Sequence, residues 1–170
     1  MVAAFREQKD QPSLIRAMAL LPEEYSLRLV GTGDPKLIAE CKQLVKELML
    51  ERRVHFLGMR TDVPEILKSS SVVVLSSHYE GLSLSSIEGM ASGHPFIASD
   101  VDGLHEIVDG YGILVPHEDP QALADAIRRV SENREYAKQV ADRCVERARM
   151  FDISVMAEKY CQLYLQRYSG

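Results

Sequence analysis

Long hydrophobic runs are missing from this chain, and so are long runs of like charge. No apolar stretch approaches the roughly 18 residues needed to cross a bilayer, and the N-terminus has neither the basic nor the apolar region of a secretory signal. The expectation is a cytoplasmic domain, peripheral to the inner membrane face at most. Lysine and arginine number 20 against 25 aspartates and glutamates, a net charge of -5, with no charged run beyond two or three residues. That balance disfavours nucleic acid as a partner. Cysteine is scarce. Cys41, Cys144 and Cys161 are odd in number, far apart and set in helix-like segments, which is neither a disulfide framework nor a zinc spacing. A reducing compartment suits them. Repeats, low-complexity tracts and interdomain linkers are also absent, so the 170 residues, 46% of them hydrophobic, read as one domain able to fill its own core.

What is present is a sustained alternation of strand-like and helix-like segments. Met1-Val-Ala-Ala-Phe5 reads as a buried strand with no lead-in or cap, so a preceding segment is expected. Residues 12–21 then carry apolar side chains at helical spacing (Leu14, Ile15, Met18, Leu21), and 26–31 is a short apolar strand. The same logic gives a helix over 37–50, a strand over 54–57, a short helix over 63–68 and a β-branched strand over 71–75. A helix over 84–91, a strand over 95–98, a turn of helix over 104–108 and a strand over 112–115 follow. Three helices are expected at 120–131, 133–149 and 152–167, the first with Asp119 as cap and Pro120 at its first position. The fold class is α/β: a Rossmann-like parallel sheet of about six strands, helices on both faces, and helices at the C-terminal end.

In such sheets ligands bind beyond the carboxyl ends of the strands, so the loops after strands carry the information. Gly31 and Gly33 follow a strand, yet the third glycine of a dinucleotide fingerprint would fall at Lys36. They permit a tight turn or the close approach of a ligand. The loop from Ser76 to Glu88 is richer. Gly81 allows close backbone approach, and Ser83, Ser85 and Ser86 open a helix whose free N–H groups suit a phosphate. Glu80 and Glu88 bracket the segment with seven residues between them. Read locally, Ser85-x-x-Glu88 fits a capping box that requires no ligand, and Glu80 fits an exposed loop acid as well as an acceptor for sugar hydroxyls. His94 is expected to pack or face solvent, His78 to border the loop without catalysing, and Met49, Met59 and Met90 to pack in core or loops.

Taken whole, Glu80-Gly-Leu-Ser-Leu-Ser-Ser-Ile-Glu88-Gly-Met-Ala-Ser-Gly-His-Pro95 resembles the signature of retaining GT-B glycosyltransferases of family 4. Support runs along the chain in Gln8-Lys9, Leu29-Val-Gly-x-Gly33, Val54-x-Phe-x-Gly58, Asp102-Gly-x-x-Glu106, Gly112-Ile-Leu-Val115 and Asp119-Pro-x-x-Leu123. The resemblance implies a C-terminal donor-binding domain partnered by an N-terminal domain that delivers a saccharide or lipid acceptor. It implies a nucleotide-sugar as substrate, no metal and no other cofactor. Lys9 would contact the diphosphate, Glu80 would lie near the transferred sugar, and Glu88 would hold ribose hydroxyls. Backbone of Gly81, Leu82, Ser83 and Leu84 would line phosphates and sugar, while Met59, Arg60 and Val63 would lie near the base. One departure stands out. The family carries an arginine five residues before the lysine, and here that position is Ala4, with Arg6 as the candidate substitute if the strand stays regular. A sugar-nucleotide epimerase or hydrolase on the same fold is a second reading, and a nucleotide-binding domain that has lost catalysis, for which Ala4 speaks, a third.

Overall fold

The structure, a computed structural model, describes residues 1–168. Five parallel strands form two sheets. β1 (Leu27–Val30) pairs with β2 (Val54–Gly58), and β4 (Phe96–Ser99) lies between β3 (Val73–Leu75) and β5 (Ile113–Val115). The expected sixth strand is the exception. Residues 1–5 do lie parallel to β1, with Ala3 N–H donating to Val30 O at 2.9 Å and Phe5 N–H to Thr32 O at 3.0 Å. They bridge it only at Val2 and Phe5. The backbone opposite them turns at Gly31, φ 137°, which breaks the regular pleat a longer ladder requires.

The strands are separated by helices α1 (Gln11–Ala19), α2 (Pro35–Glu47), α3 (Val63–Lys68), α4 (Leu84–Ala91) and α5 (Asp102–Val108), and followed by α6 (Pro120–Glu132), α7 (Arg134–Arg149) and α8 (Ile153–Tyr168). Several begin where short polar side chains capture a free N–H. Asp10 Oδ1 accepts from Ser13 N at 3.0 Å and Asp119 Oδ1 from Ala122 N at 2.9 Å, each with proline in the first turn, where its missing N–H costs nothing.

Alternation along the strands divides the core between two faces. Val74 and Ile97 point into a cluster with Leu14, Ile15, Cys41, Leu123 and Ile127, contributed by α1, α2 and α6. Their neighbours Val73, Leu75, Phe96 and Ala98 point the other way, onto Met90, Leu104, Ile107, Val140 and Cys144 of α4, α5 and α7. Both faces of β3 and β4 are therefore covered, which is why their sequences lack polar alternation. β3 and β4 pair from Val73 opposite Phe96 to Leu75 opposite Ala98, so their carboxyl ends deliver the loops that follow them side by side. On α8, Ile153, Met156, Tyr160, Leu163 and Tyr164 are exposed, and no helix among the described residues is long and apolar enough to cross a membrane.

Candidate functional site

The polar groups converge at the carboxyl ends of the first segment, β3 and β4. Phe5 ends the extended segment, and a turn closed by Lys9 N–H to Arg6 O, 2.8 Å, swings residues 8–10 toward β3. Backbone bonds from His78 N to Gln8 O (3.0 Å) and from Asp10 N to Ser76 O (3.2 Å) attach that turn to the start of the loop after β3. Ser76 Oγ adds a bond to Asp10 O at 2.6 Å, and Ser77 N–H donates to Ser99 Oγ at the end of β4, 3.0 Å away. Three strand ends are thus tied into one rim.

Glu80 sits at the centre of this rim. Its Oε1 is ion-paired with Lys9 Nζ and accepts from Ser77 Oγ at 2.7 Å; its Oε2 accepts from Gln8 Nε2 at 3.2 Å. Gln8 Nε2 also donates to Tyr79 O at 3.0 Å. The Glu80 side chain is only 5% exposed and that of Lys9 12%, so neither is the free loop group that local sequence allows.

The helix that follows opens differently from a capping box. Ser83 is the N-cap of α4, and it makes no side-chain bond to the backbone. Its hydroxyl meets Ser85 Oγ at 3.1 Å, while Ser86 Oγ turns back to Ser83 O at 2.7 Å. The expected Ser85–Glu88 box is therefore absent: Ser85 lies inside the helix, so Glu88 is too far along to reach a cap residue's N–H. Glu88 is exposed on α4. Ser86 N–H donates to Ser83 O at 3.1 Å, and the N–H groups of Leu84 and Ser85, unclaimed by the cap side chain, stay available for an anion.

The remaining candidates take other places. The Cβ positions of Gly31 and Gly33 would fall 2.2 Å from Ala3 O and 2.1 Å from Phe5 O, so these glycines admit the chain's own first segment. Arg6 is exposed in the turn after Phe5. The chain bends at Arg6, which ends the regular pleat on which that placement of Arg6 beside position 4 depends. Met59 is 78% exposed, and Val63 is half-buried at the start of α3. Arg60 makes a two-point contact with Asp62, 2.8 and 2.6 Å, which holds the Asp62 carboxyl below its ordinary value. Met49 is also exposed rather than packed, whereas Met90 is fully buried. His78 Nδ1 meets Glu118 Oε1 at 3.2 Å, linking the loop to the turn before α6, and His94 packs against Lys68 O at the far ends of the strands.

Gln8, Ser77 and Gly103 belong to the site although local patterns did not single them out as site residues. Gly103, in the first turn of α5, lies against the carbonyls of Glu80 and Gly81, where a Cβ would come within 2.3 and 2.4 Å. A cavity of about 280 Å³ opens between this turn and the loop, with Glu80, Leu82, Asp102 and Glu106 on its walls. A larger groove of about 1500 Å³ lies at the opposite ends of the strands, over an apolar floor that includes Leu14, Met18, Leu27 and Ile127. Among the described residues no group of three or more His, Cys, Asp or Glu side chains is arranged to hold a metal ion.

The arrangement suits a ligand with a diphosphate and hydroxyls: an ammonium and an open helix N-terminus for the first, a fixed carboxylate for the second. The model of the family described as glycosyl transferases group 1 matches residues 1–150. N-acetyl-alpha-D-glucosaminyl L-malate synthase of Bacillus anthracis is 31% identical over 147 residues, 85% of this chain and 39% of that protein. The structure of Anabaena HepE in complex with UDP superposes with a TM-score of 0.89 at 27% identity, over 97% of this chain and 48% of that one. HepE has also been solved with UDP-glucose. Sucrose-phosphate synthase from Thermosynechococcus elongatus gives a TM-score of 0.84 at 35% identity, over 99% of this chain and 45% of its own. The chain spans less than half the length of each of these relatives.

Proposed function

This chain belongs to the glycosyl transferases group 1 family, and from that premise we propose that it is the donor-binding half of a GT-B sugar transferase. A nucleoside-diphosphate sugar binds across the carboxyl ends of the strands, and its sugar passes, with retention of configuration, to a saccharide or lipid acceptor held by an N-terminal domain. The observation that carries this reading is the meeting of Lys9, Glu80 and the uncapped start of α4 at one rim.

Each group has a task set by its chemistry. Charge develops on the leaving diphosphate as the bond to the sugar breaks, so Lys9 and the N–H groups of α4 lower the barrier by meeting that charge in fixed positions. This provision makes a metal unnecessary. Glu80, held from both oxygens, accepts from the sugar, and exposed Glu88 accepts from the ribose hydroxyls. The loop with Met59 and Arg60, together with Val63, borders the base. Uracil is the first base to test, because HepE binds UDP and UDP-glucose.

Calorimetric titration with UDP, GDP and ADP, in the absence of metal, tests the reading. UDP is expected to bind, and Glu88→Ala to weaken it about tenfold, the loss of two hydroxyl hydrogen bonds at roughly 0.7 kcal/mol each. Binding of none of the three by the parent would defeat the donor-site reading; binding unaffected by Glu88→Ala would remove Glu88 from it.

A further inference from the structure

Lys9 and Glu80 have separate duties in the reading above, one on the diphosphate and one by the sugar, yet here they are each other's partners. Their dependence is unequal. Among the described residues, Glu80 is the one acceptor in contact with the Lys9 ammonium. Glu80 has two further donors, Ser77 Oγ on Oε1 at 2.7 Å and Gln8 Nε2 on Oε2 at 3.2 Å. If the pair opens, the carboxylate keeps a hydrogen bond on each oxygen, whereas the ammonium must find another anion. Lysine is also the mobile partner by construction, a point charge on a four-carbon stem, while Gln8 and Ser77 are anchored through backbone bonds to the loop and to β4.

We propose that Lys9 is held in reserve by Glu80 until a nucleotide binds and then passes to the diphosphate, while Gln8 and Ser77 keep the Glu80 carboxylate in place. The inference rests on the donor-site reading and adds a role to Glu80 within it. Before binding, the pair neutralises two largely buried charges that would otherwise be costly to leave alone. On binding, the diphosphate supplies the anion that frees Lys9. Glu80 then stands beside the sugar without its cation, and its negative charge favours the positive charge that grows at the anomeric carbon as the leaving group departs. The carboxylate acts as a competitor for Lys9 first and as an electrostatic partner of the sugar second.

Competition has a thermodynamic signature distinct from simple repulsion between a carboxylate and an anion. If Glu80 withholds Lys9, removing its charge strengthens nucleotide binding only while Lys9 is present. If Glu80 merely repels the diphosphate, the gain persists without Lys9. A double-mutant cycle separates the two. UDP is titrated into the parent chain, Glu80→Gln, Lys9→Met and the double variant, with thermal melting of each to check folding. Glu80→Gln is expected to bind UDP about five- to tenfold more tightly than the parent, the scale of a partly buried ion pair, and Lys9→Met more weakly than the parent. In the Lys9→Met background the Glu80→Gln gain is expected to fall within twofold of none. Glu80→Ala, which also cannot hold Lys9, must tighten binding in the same sense. An equal gain in both backgrounds, or a Glu80→Gln chain that melts normally and binds UDP no better than the parent, overturns the exchange. A parent that binds no UDP, GDP or ADP defeats the donor-site reading itself, and the exchange falls with it.

Discussion

Gly103 offers the sharpest test of how the site is assembled, because it has no side chain to offer a ligand and yet fixes the loop that carries Glu80 and Gly81. Its hydrogen faces the carbonyl oxygens of Glu80 and Gly81, and a methyl group there would lie 2.3 and 2.4 Å from them. Ordinary contact begins at 3.4 Å, so Gly103→Ala forces loop and helix apart by about 1 Å. Neither obstacle is a side chain that can rotate away. The loop is held on its other side by Lys9, Gln8 and Ser77, and the retreat must strain those contacts and shift the start of α4. Losing two hydrogen bonds to a diphosphate at about 1 kcal/mol each weakens UDP binding by roughly 30-fold. Glycine to alanine in a helix would otherwise be favourable by about 1 kcal/mol, which offsets part of the clash, so the melting temperature falls by less than the clash alone would lower it. Calorimetry with UDP and thermal melting read the two effects separately. Gly103→Ala with UDP affinity within twofold of the parent would refute the idea that α5 sets the position of the loop.

Three further outcomes are expected. Arg6→Ala should weaken UDP binding about fivefold if Arg6 stands in for an arginine at position 4, since a charged hydrogen bond contributes about 1 kcal/mol or more; equal affinity rejects that role by calorimetry. Burial pushes the Cys41 thiol up to about 11 and raises that of Cys144 as well, whereas Cys161 is exposed. A thiol reagent at pH 8 should therefore label one cysteine rapidly and the other two only after denaturation, and three rapid equivalents would contradict the packing. The Asp100 carboxylate, 2.6 Å from His105 Nδ1, raises the pKa of His105 above its ordinary 6.5. A raised folded value means that the contact stabilises fully below pH 6.5 and fades as pH climbs through the folded value. Proton NMR should show His105 titrating above 6.5 in the parent and nearer to it in Asp100→Asn; identical titration in both would dismiss the pair.

Periodicity in the sequence predicts eight helices and six strands, and all eight helices and five of the strands form in the expected order, because each depends on neighbours a few residues apart. Asp10, Asp34 and Asp119 cap helices that begin one or two residues before or at the expected positions. The first strand fails for a reason that its own residues do not contain. Met1-Val-Ala-Ala-Phe5 is as apolar as the strands that pair, but the partner backbone at Gly31 departs from the extended form. Likewise, the glycines at 31 and 33 announce a turn or a close approach, and only the folded chain reveals that the approaching atoms are those of residues 3–5.

The site divides in the same way. The two glutamates, the glycine and the serines lie within one stretch of chain, so their pattern is visible as a motif. The contacts that give them chemical meaning join residues about 70 apart: Lys9 and Gln8 to Glu80 at sequence separations of 71 and 72. No local rule anticipates that Gln8 uses one amide nitrogen on both the Tyr79 carbonyl and the Glu80 carboxylate. Local rules mislead at Glu88 for a related reason. Ser85-x-x-Glu88 satisfies the letter of a capping box, yet the helix opens at Leu84, as its periodicity predicts, with Ser83 as N-cap; Ser83 Oγ meets Ser85 Oγ and Ser86 Oγ donates to Ser83 O. With the serines occupied among themselves, the helix N-terminus lacks a side-chain acceptor and Glu88 lacks a backbone donor. A cap at Ser83 rather than Ser85 therefore leaves open both an anion site and a hydroxyl acceptor, the two provisions that a nucleoside diphosphate requires on this side of the site.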